Sequence, residues 1–348
     1  MTDERQAVAP RLTERTPSMS AAELAATLVP PRQFDQASLE NYRPDPDFPS
    51  QSEALERIRA FAGGWKPAAV KGGGLFGRKK PKTTDAGKSG IYLDGGFGVG
   101  KTHLLAALWH AAPGPKYFGT FIEYTALIGA LGYAGAVKLF AGARFIAIDE
   151  FELDDPGDTM LMTRFLGELA AQGTRLAATS NTPPNALGEG RFAASDFLRE
   201  IQAIADRFDI LRIDGVDYRR RDIEGHAAVF ADDAALQQAV ERRVEAGQSI
   251  TFDDFGELVH HLGTIHPSRY IKIIEGLDAI AVRDVAPLTN QTDALRLVAF
   301  IDRVYDAQLQ VLASGTPFDE VFAGDMLNGG YRKKYLRAVS RLIASATV

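Results

Sequence analysis

One eight-residue stretch constrains the fold of this chain more than any other feature. Residues 95–102 read Gly-Gly-Phe-Gly-Val-Gly-Lys-Thr, which fits the pattern G-x-x-x-x-G-K-[ST]. The apolar run Ile91-Tyr92-Leu93 precedes the stretch, and a helical pattern from His103 to His110 follows it. A strand, a glycine-rich turn and a helix in this order surround a phosphate group with backbone N–H groups and a helix N-terminus. The pattern therefore predicts a phosphate-binding P-loop within an α/β domain.

Each residue type in this loop has a predicted part in binding a nucleoside triphosphate. Lys101 places a cation on the β- and γ-phosphates, and Thr102 offers its hydroxyl to Mg²⁺. ATP and Mg²⁺ are therefore the predicted cofactors. The predicted nucleotide-binding residues are Gly95, Gly96, Phe97, Gly98, Val99, Gly100, Lys101, Thr102 and His103.

An acidic pair follows a second apolar strand pattern, Arg144–Ile148. At the carboxyl edge of a parallel sheet, Asp149-Glu150 is typical of an acid that binds Mg²⁺ followed by an acid that polarises the attacking water. The alternative for the pair alone is a helix N-cap followed by a first-turn carboxylate. Beside a P-loop the catalytic interpretation is favoured, with Asp149 joining Thr102 at the metal and Glu150 acting as the base.

A third strand pattern, Leu176–Thr179, runs into Ser180-Asn181. We predict Asn181 as a sensor that orients the water from the γ-phosphate side, although Asn181 also fits the start of the Pro183-Pro184 turn. Charge in the transition state calls for an arginine, often from a neighbouring subunit. The candidates that follow the sensor strand are Arg191, Arg199 and Arg207, and each one alone also fits a surface charge.

Short apolar runs alternate with helical patterns along the chain. The predicted strands of the first part are Gly90–Asp94, Tyr117–Tyr124, Arg144–Ile148, Leu176–Thr179 and Ile210–Ile213. Repeated βα units predict a largely parallel sheet with helices on both faces. The later elements predicted are helices Asp232–Ala246 and Asp253–His261, strand Ala279–Val285, helix Gln291–Gln308, strand Leu309–Ala313 and helix Tyr331–Ser345. The fold class is thus α/β, a P-loop NTPase core with a mixed α/β C-terminal region.

Three regions are predicted: a flexible N-terminal arm over residues 1–30, the ATPase core over 31–225 and the C-terminal α/β region over 226–348. The core carries an exposed insertion at 66–89, which contains the basic run Arg78-Lys79-Lys80. A solvated linker is favoured for this insertion over a contact with an anionic surface.

The amino-acid composition excludes or argues against several classes of function. The chain has no cysteine, which excludes disulfides, thiolate zinc sites and cysteine nucleophiles. A net charge of −6 argues against a nucleic-acid binder held by overall charge. Neither a secretory signal nor an apolar stretch of about 18 residues is present, so a cytoplasmic location is predicted. His260, His261 and His266 fit no common zinc spacing and are assigned to packing or surface.

Strings beyond the general ATPase motifs resemble the ZapE-like cell-division ATPases, a branch of the AAA+ superfamily. The strings are Tyr92-Leu93-Asp94-Gly95-Gly96, Asp149-Glu150-Phe151 with Asp155 and Asp158, Ala178-Thr179-Ser180-Asn181 with Pro184 and Leu187, Asp217-Tyr218-Arg219, Asp284–Thr289, Phe300–Asp306 and Ser340-Arg341-Leu342. The resemblance covers residue 90 to the C-terminus and implies the same roles for the loop, the acidic pair and the sensor. It also implies an ATP-dependent homo-oligomer that acts on protein partners in cell division or protein quality control, with peripheral membrane contact as an option.

The family pattern departs from this chain at the arginine finger. The family usually has an arginine at the position of Ala194, so Arg191, one helical turn earlier, is the predicted substitute and Arg199 the second candidate. Arg296 matches an arginine of the family's C-terminal helix, where a second nucleotide sensor and a helix-surface role are equally open.

An alternative function is a DNA-replication accessory ATPase of the helicase-loader or initiator type. The segment Phe34–Tyr42 resembles an adenine-side segment of such proteins. In that case Arg78-Lys79-Lys80 and Arg219-Arg220-Arg221 would contact nucleic-acid phosphates. Nucleic acid is therefore a possible but less favoured partner.

Overall fold

The computed structural model describes residues 9–65, 88–96, 98–153, 156–183, 187, 198–216 and 226–346. The chain divides into two compact units. We call residues 21–30 and 34–218 the P-loop unit, and residues 1–20, 31–33 and 219–348 the C-terminal unit.

The P-loop unit contains a five-stranded sheet in which every pair of neighbouring strands is parallel. Its strands are β1 (Gly90–Gly95), β2 (Lys116–Thr120), β3 (Phe145–Asp149), β4 (Arg175–Ser180) and β5 (Phe208–Ile213). The spatial order is β2-β3-β4-β1-β5. The five predicted strands are thus present, and the α/β fold with a parallel sheet is confirmed. All five carboxyl ends meet at one edge of this sheet.

Two helices of this unit precede β1, and the other four lie between its strands in sequence. They are α1 (Ala21–Ala26), α2 (Pro49–Gly63), α3 (Lys101–Ala111), α4 (Phe121–Phe140), α5 (Pro156–Ala171) and α6 (Leu198–Ala205). Alternate side chains of a strand point to opposite faces. Leu93 therefore packs with apolar residues of α2 and α3, whereas the Tyr92 ring packs against Phe151 and Phe208.

The predicted strand Tyr117–Tyr124 extends too far, because β2 ends at Thr120 and α4 begins at Phe121. A capping box starts this helix: the Thr120 hydroxyl accepts a hydrogen bond from Glu123 N, and the Glu123 carboxylate accepts one from Thr120 N at 2.7 Å. Such a reciprocal pair satisfies two backbone donors that the first turn of a helix leaves free. The apolar run of the segment predicted a strand through Tyr124, but the capping box at Thr120 starts a helix instead.

Residues 9–30 were predicted to form part of a flexible arm, but the structure places them on folded elements. Leu12 N and Thr13 N donate to the Asp253 carboxylate at 2.9 and 3.1 Å within the C-terminal unit. In the P-loop unit, Phe118 N of the edge strand β2 donates to Leu28 O at 2.9 Å. These partners lie far away in sequence, so local composition carries no signal of them. Residues 1–8 lie outside the described part of the chain.

The C-terminal unit contains a second parallel sheet of three strands, in the order β6-β7-β8. These are β6 (Ile250–Asp254), β7 (Ala279–Val285) and β8 (Gln310–Gly315). The accompanying helices are α7 (Asp233–Glu245), α8 (Phe255–Thr264), α9 (Tyr270–Ile273), α10 (Gln291–Asp306) and α11 (Arg332–Ser345). The mixed α/β character predicted for this region is confirmed.

Strand β6 was not predicted, because its last residues were assigned to a helix over Asp253–His261. The helix starts only at Phe255, where the side chain of Asp254 accepts a hydrogen bond from Glu257 N at 3.1 Å. An aspartate in this position is a helix N-cap with extended backbone. Asp253 and Asp254 therefore end strand β6, and Asp254 is also the N-cap of α8.

An ion-pair cluster joins α10 and α11. The Asp302 carboxylate lies 2.6 Å from a guanidinium nitrogen of Arg337 and also contacts Arg341. Burial raises the pKa of Asp302, but the charges of Arg337, Arg341 and Arg303 outweigh burial and hold this pKa below its ordinary value. This cluster stabilises the packing of the two helices while Asp302 stays ionised.

None of the helices within the described ranges is long and apolar enough to cross a membrane. The predicted cytoplasmic location stays a prediction. Of the predicted insertion at 66–89, only residues 88 and 89 lie within the described part of the chain.

Candidate functional site

The predicted phosphate loop joins the carboxyl end of β1 to the first turn of α3. Gly98 and Gly100 have φ angles of +67° and +87°, in the left-handed region that favours glycine. A Cβ atom on Gly100 would lie 2.6 Å from the ring of Tyr42. The backbone conformation and the close approach together explain the glycine at position 100. Phe97, which was predicted within the binding set, lies outside the described residues.

Lys101 is the first residue of α3 and is 8% exposed. Its ammonium group donates to Gly95 O at 2.8 Å and to Gly96 O at 2.5 Å. It also donates to the side-chain oxygen of Asn181 at 2.8 Å. The structure thus brings the predicted phosphate-binding lysine and the predicted sensor into direct contact.

Thr102 and Asp149 face each other across the loop. The Thr102 hydroxyl lies 3.1 and 3.3 Å from the two carboxylate oxygens of Asp149. Asp149 is the last residue of β3 and is 8% exposed. A hydroxyl and a carboxylate are the oxygen ligands that Mg²⁺ prefers. The donor set at this position therefore fits Mg²⁺.

Glu150 has an unusual backbone conformation. Its φ is +54°, a left-handed value that costs a non-glycine residue about 1–3 kcal/mol. Such strain persists only where the surrounding structure fixes the residue, and it clusters at functional sites. The fixing contact here is a hydrogen bond from Glu150 N to the Thr179 hydroxyl at 3.1 Å.

Thr179 was not predicted as a site residue. It lies in β4 next to β3, is 2% exposed, and its hydroxyl also donates to the Asp149 carboxylate. Its carbonyl accepts from Phe151 N at 2.7 Å. The available signal was a hydroxyl residue near the end of the otherwise apolar run Leu176-Ala177-Ala178.

The segment Phe34–Tyr42 packs against the loop. The Tyr42 hydroxyl donates to Val99 O at 3.0 Å, and its ring lies 5.8 Å from that of His103. Burial raises the pKa of Tyr42 to about 12, so the phenol keeps its proton and remains a donor at neutral pH. A ring nitrogen of His103 lies 3.1 Å from Ser38 O. His103, predicted in the binding set, thus connects the loop helix to this segment.

A charged pair flanks the loop on the β5 side. Asp94 precedes the loop, is 4% exposed, and accepts from Arg212 at 2.8 Å. Hydrogen bonds to Asp214 and Asp94 raise the pKa of Arg212. The strand end therefore carries a fixed cation beside a buried carboxylate.

The three arginine-finger candidates lie in different places. Arg207 precedes β5 at the amino edge of the sheet, where its carbonyl accepts from Gly90 N at 3.0 Å, and a Cβ on Gly167 would lie 2.8 Å from its guanidinium. This is the edge opposite the phosphate loop. Arg199 is exposed on α6. Arg191 and Ala194 lie outside the described residues, and so do the basic runs 78–80 and 219–221.

Two further groups of candidates lie in the C-terminal unit. Arg296 pairs with Asp293 one turn earlier on α10, at 3.2 Å. A ring nitrogen of His261 lies 2.9 Å from Arg15 O, and burial followed by the charge of Arg269 lowers the pKa of His266. A ring nitrogen of His266 lies 2.9 Å from Ser268 Oγ, so both histidines contact neighbouring polar groups.

Comparisons with known proteins agree with this arrangement. A family model described as AFG1-like ATPase matches residues 18–246 and 231–347. Cell division protein ZapE of Escherichia coli (strain K12) is 26% identical, and the match covers 91% of this chain and 95% of that protein. An uncharacterized protein of Schizosaccharomyces pombe is 22% identical over 71% of this chain and 66% of its own length.

Among solved structures, the DnaC helicase loader is 17% identical, with a TM-score of 0.35, and covers 52% of this chain and 99% of its own. The family match extends over both units and includes the P-loop, the acidic pair and the sensor strand. The chain belongs to the AFG1-like ATPase family and is a nucleotide-using AAA+ ATPase.

Proposed function

We propose that the chain hydrolyses ATP to ADP and phosphate at the carboxyl edge of the five-stranded sheet, and that this cycle acts on protein partners in cell division. The observation that carries the proposal is the left-handed backbone of Glu150, held beside the buried Asp149. Backbone strain of this kind clusters at functional sites. A carboxylate next to the proposed Mg²⁺-binding acid at this sheet edge is suited to polarise the water that attacks a γ-phosphate.

Binding of the phosphates is assigned to the loop. Backbone N–H groups of Gly98 and Gly100 and the N-terminus of α3 favour negative charge. The Lys101 ammonium already lies among the carbonyl oxygens of the loop and the Asn181 side chain. On ATP binding, we expect phosphate oxygens to take the place of some of these acceptors, so that Asn181 reports the γ-phosphate to Lys101.

Thr102 and Asp149 are proposed to hold Mg²⁺, in the position where their oxygens face each other. When bound, the ion neutralises charge on the β- and γ-phosphates. Glu150 accepts a proton from water as the water oxygen bonds to the γ-phosphorus and the bond to the β–γ bridging oxygen breaks. Asn181 orients the same water from the other side.

Completion of the site by a neighbouring copy is part of the proposal. Arg191 is the first candidate for the finger and Arg199, which is exposed on α6, the second. Arg207 is the least suited, because its side chain packs over α5 at the opposite edge of the sheet. An arginine that acts across a subunit interface makes hydrolysis depend on an ATP-bound homo-oligomer.

Mixing two inactive variants tests this arrangement. Lys101→Ala removes a subunit's own nucleotide site but keeps its finger, and Arg191→Ala or Arg199→Ala does the reverse. If the finger acts in trans, a mixture of Lys101→Ala with the arginine variant regains phosphate release, because an intact nucleotide site then meets an intact finger at some subunit interfaces. Arg207→Ala is the control and should retain activity without mixing. A mixture that stays inactive for both arginine variants would contradict a finger in trans.

The name of the Escherichia coli relative, a cell division protein, supports the role in cell division. The alignment with that relative covers most of both chains. As a test, the gene in its own host is replaced by one that encodes the Glu150→Gln variant, and cell length is measured. Proteins that bind to this variant in its ATP-bound state are captured and identified. Division defects with captured division proteins support the proposal. Normal cell length with capture of misfolded proteins would point to protein quality control instead.

A further inference from the structure

We propose that the buried hydroxyl of Thr179 is a positioning group that sets the Asp149 side chain and the Glu150 main chain together. The inference rests on the proposed function, because it concerns how the two acids are held for hydrolysis. It starts from one contact pattern: a single oxygen atom bonds to both acidic residues of the site.

The hydrogen-bond directions are fixed by chemistry. A backbone N–H can only donate, so the bond from Glu150 N to the Thr179 hydroxyl oxygen makes that oxygen an acceptor. An ionised carboxylate can only accept, so the one hydroxyl proton goes to the Asp149 oxygen that Thr179 contacts. One hydroxyl therefore satisfies both bonds at once.

Thr179 differs from Thr102, which also contacts the Asp149 carboxylate. Under the proposed function, the Thr102 hydroxyl turns its oxygen to Mg²⁺. The hydroxyl of Thr179 then remains as a hydrogen-bond donor that orients the Asp149 carboxylate. Thr179 is 2% exposed, which leaves it out of reach of solvent and suited to an orienting role.

The second bond concerns the strained residue. Glu150 keeps a φ of +54° while its N–H is held by Thr179, and Phe151 N is held by the Thr179 carbonyl at 2.7 Å. Two consecutive backbone donors are thus fixed by one residue of the neighbouring strand. Loss of the hydroxyl frees Glu150 to relax to an ordinary backbone conformation, which moves its carboxylate away from the attacking water.

The test compares two buried threonines. Thr174, which precedes β4, is also 2% exposed, and its hydroxyl donates to Ala143 O at 2.8 Å near the amino edge of the sheet. Thr179→Val and Thr174→Val each remove one buried hydroxyl at constant shape. For both variants we measure turnover, thermal unfolding and the Mg²⁺ concentration that gives half-maximal activity. We also measure the affinity for a fluorescent ATP analogue, once with Mg²⁺ and once with a chelator.

We expect both variants to lose stability, but only Thr179→Val to lose turnover, by about 10–100-fold, the range seen when a residue behind a metal ligand is removed. Its analogue affinity should fall in the presence of Mg²⁺ and stay unchanged with chelator, and Thr179→Ser should restore turnover. If Thr179→Val does not fold, Thr179→Ala, which removes the hydroxyl together with the γ-methyl group, gives the same readout.

Equal turnover in Thr179→Val and Thr174→Val, with Glu150→Gln inactive, would overturn this inference alone. Normal turnover in Glu150→Gln would overturn the proposed base, whatever the threonine variants do. The two failures are therefore distinguishable in one set of measurements.

Discussion

The two units of this protein each present a parallel sheet, and each sheet carries a strained acidic residue at its carboxyl edge. Glu150 after β3 has a φ of +54°, and Asp284 near the end of β7 has a φ of +52°. By backbone geometry and residue type, the two positions are close equivalents. Their surroundings differ in ways that decide which one is a candidate for catalysis.

Around Glu150, a phosphate loop, a buried aspartate and a threonine hydroxyl meet. The Asp284 side chain is 63% exposed, and a carboxylate oxygen lies 3.8 Å from Arg283. Its backbone strain coincides with a bulge in the pairing with β8 between Val282 and Val285, where Gly315 approaches Val285 closely. The strained backbone of Asp284 thus belongs to the bulge in the pairing of β7 with β8. Glu150 is the candidate for catalysis because its neighbour Asp149 contacts Thr102 of the phosphate loop.

The largest effect is expected from removing the charge at the two strained acids. Glu150→Gln should lower turnover by about 10²–10⁴-fold, the usual contribution of a general base, and keep ATP binding. Asp284→Asn should leave turnover unchanged. Steady-state phosphate release and analogue binding check both variants, and a comparable loss in Asp284→Asn would end the distinction between the units.

Breaking the ion-pair cluster of the C-terminal unit should cost stability rather than chemistry. Asp302→Asn leaves the buried guanidinium groups of Arg337 and Arg341 without their carboxylate, at a cost of about 3–5 kcal/mol. Because the folded pKa of Asp302 is depressed, its contribution is present above the ordinary aspartate pKa of about 4 and is lost as pH falls through the lowered value.

Hydrogen exchange of peptides from α10 and α11 measures this loss, with peptides from α3 as the internal reference. Asp293→Asn, in a half-exposed pair on the same helix, is the control and should change little. The difference between wild type and Asp302→Asn should shrink in acid. Equal protection of both at neutral pH would show that the cluster contributes nothing.

Substitution of two closely packed glycines, Gly100 and Gly315, tests whether the close packing at each position is needed for ATP binding or for stability. Gly100→Ala places a Cβ 2.6 Å from the Tyr42 ring at a φ of +87°, and Gly315→Ala places one 2.7 Å from backbone atoms of Val285 at a φ of +95°. The left-handed conformation alone costs alanine about 1–2 kcal/mol. We expect about tenfold weaker ATP binding for Gly100→Ala, and for Gly315→Ala lower stability at unchanged affinity. Calorimetric binding and thermal unfolding separate the two outcomes.

The smallest effect is expected at a matched pair of tyrosines. Tyr42→Phe removes the hydrogen bond to Val99 O, and Tyr270→Phe removes a bond of 2.7 Å to Leu262 O in the C-terminal unit. Each loss costs about 1 kcal/mol. Because Val99 belongs to the phosphate loop, only Tyr42→Phe should raise the KM for ATP, with kcat unchanged. A higher KM in both variants would mean that the effect is general destabilisation.

Much of the P-loop unit followed from local sequence patterns. The loop, β1 and α3 are contiguous, so one pattern of glycines, lysine and threonine predicts their order. Strand β3 and its acidic end were predicted because the apolar run and Asp149-Glu150 are adjacent in sequence. The wrong end of β2 and the missed strand β6 came from helix caps, where the Thr120 or Asp254 side chain accepts a hydrogen bond from a backbone N–H of the following helix.

The rest depended on pairs that are distant in sequence. Thr179 meets Glu150 only because β3 and β4 are neighbours in the sheet. Tyr42 meets Val99 across 57 positions of sequence, and Leu12 meets Asp253 across 241. A hydroxyl, a phenol and a backbone N–H carry no local periodicity that reveals such partners.

The sequence by itself determined the nucleotide-binding loop, the α/β class and the family, because glycine freedom, strand hydrophobicity and the order of charged residues are local properties. Only the tertiary structure decided that Glu150 takes a strained backbone conformation and that Thr179 bonds to both acids. Those outcomes depend on strand order, which places distant residues within hydrogen-bonding distance and shields them from water.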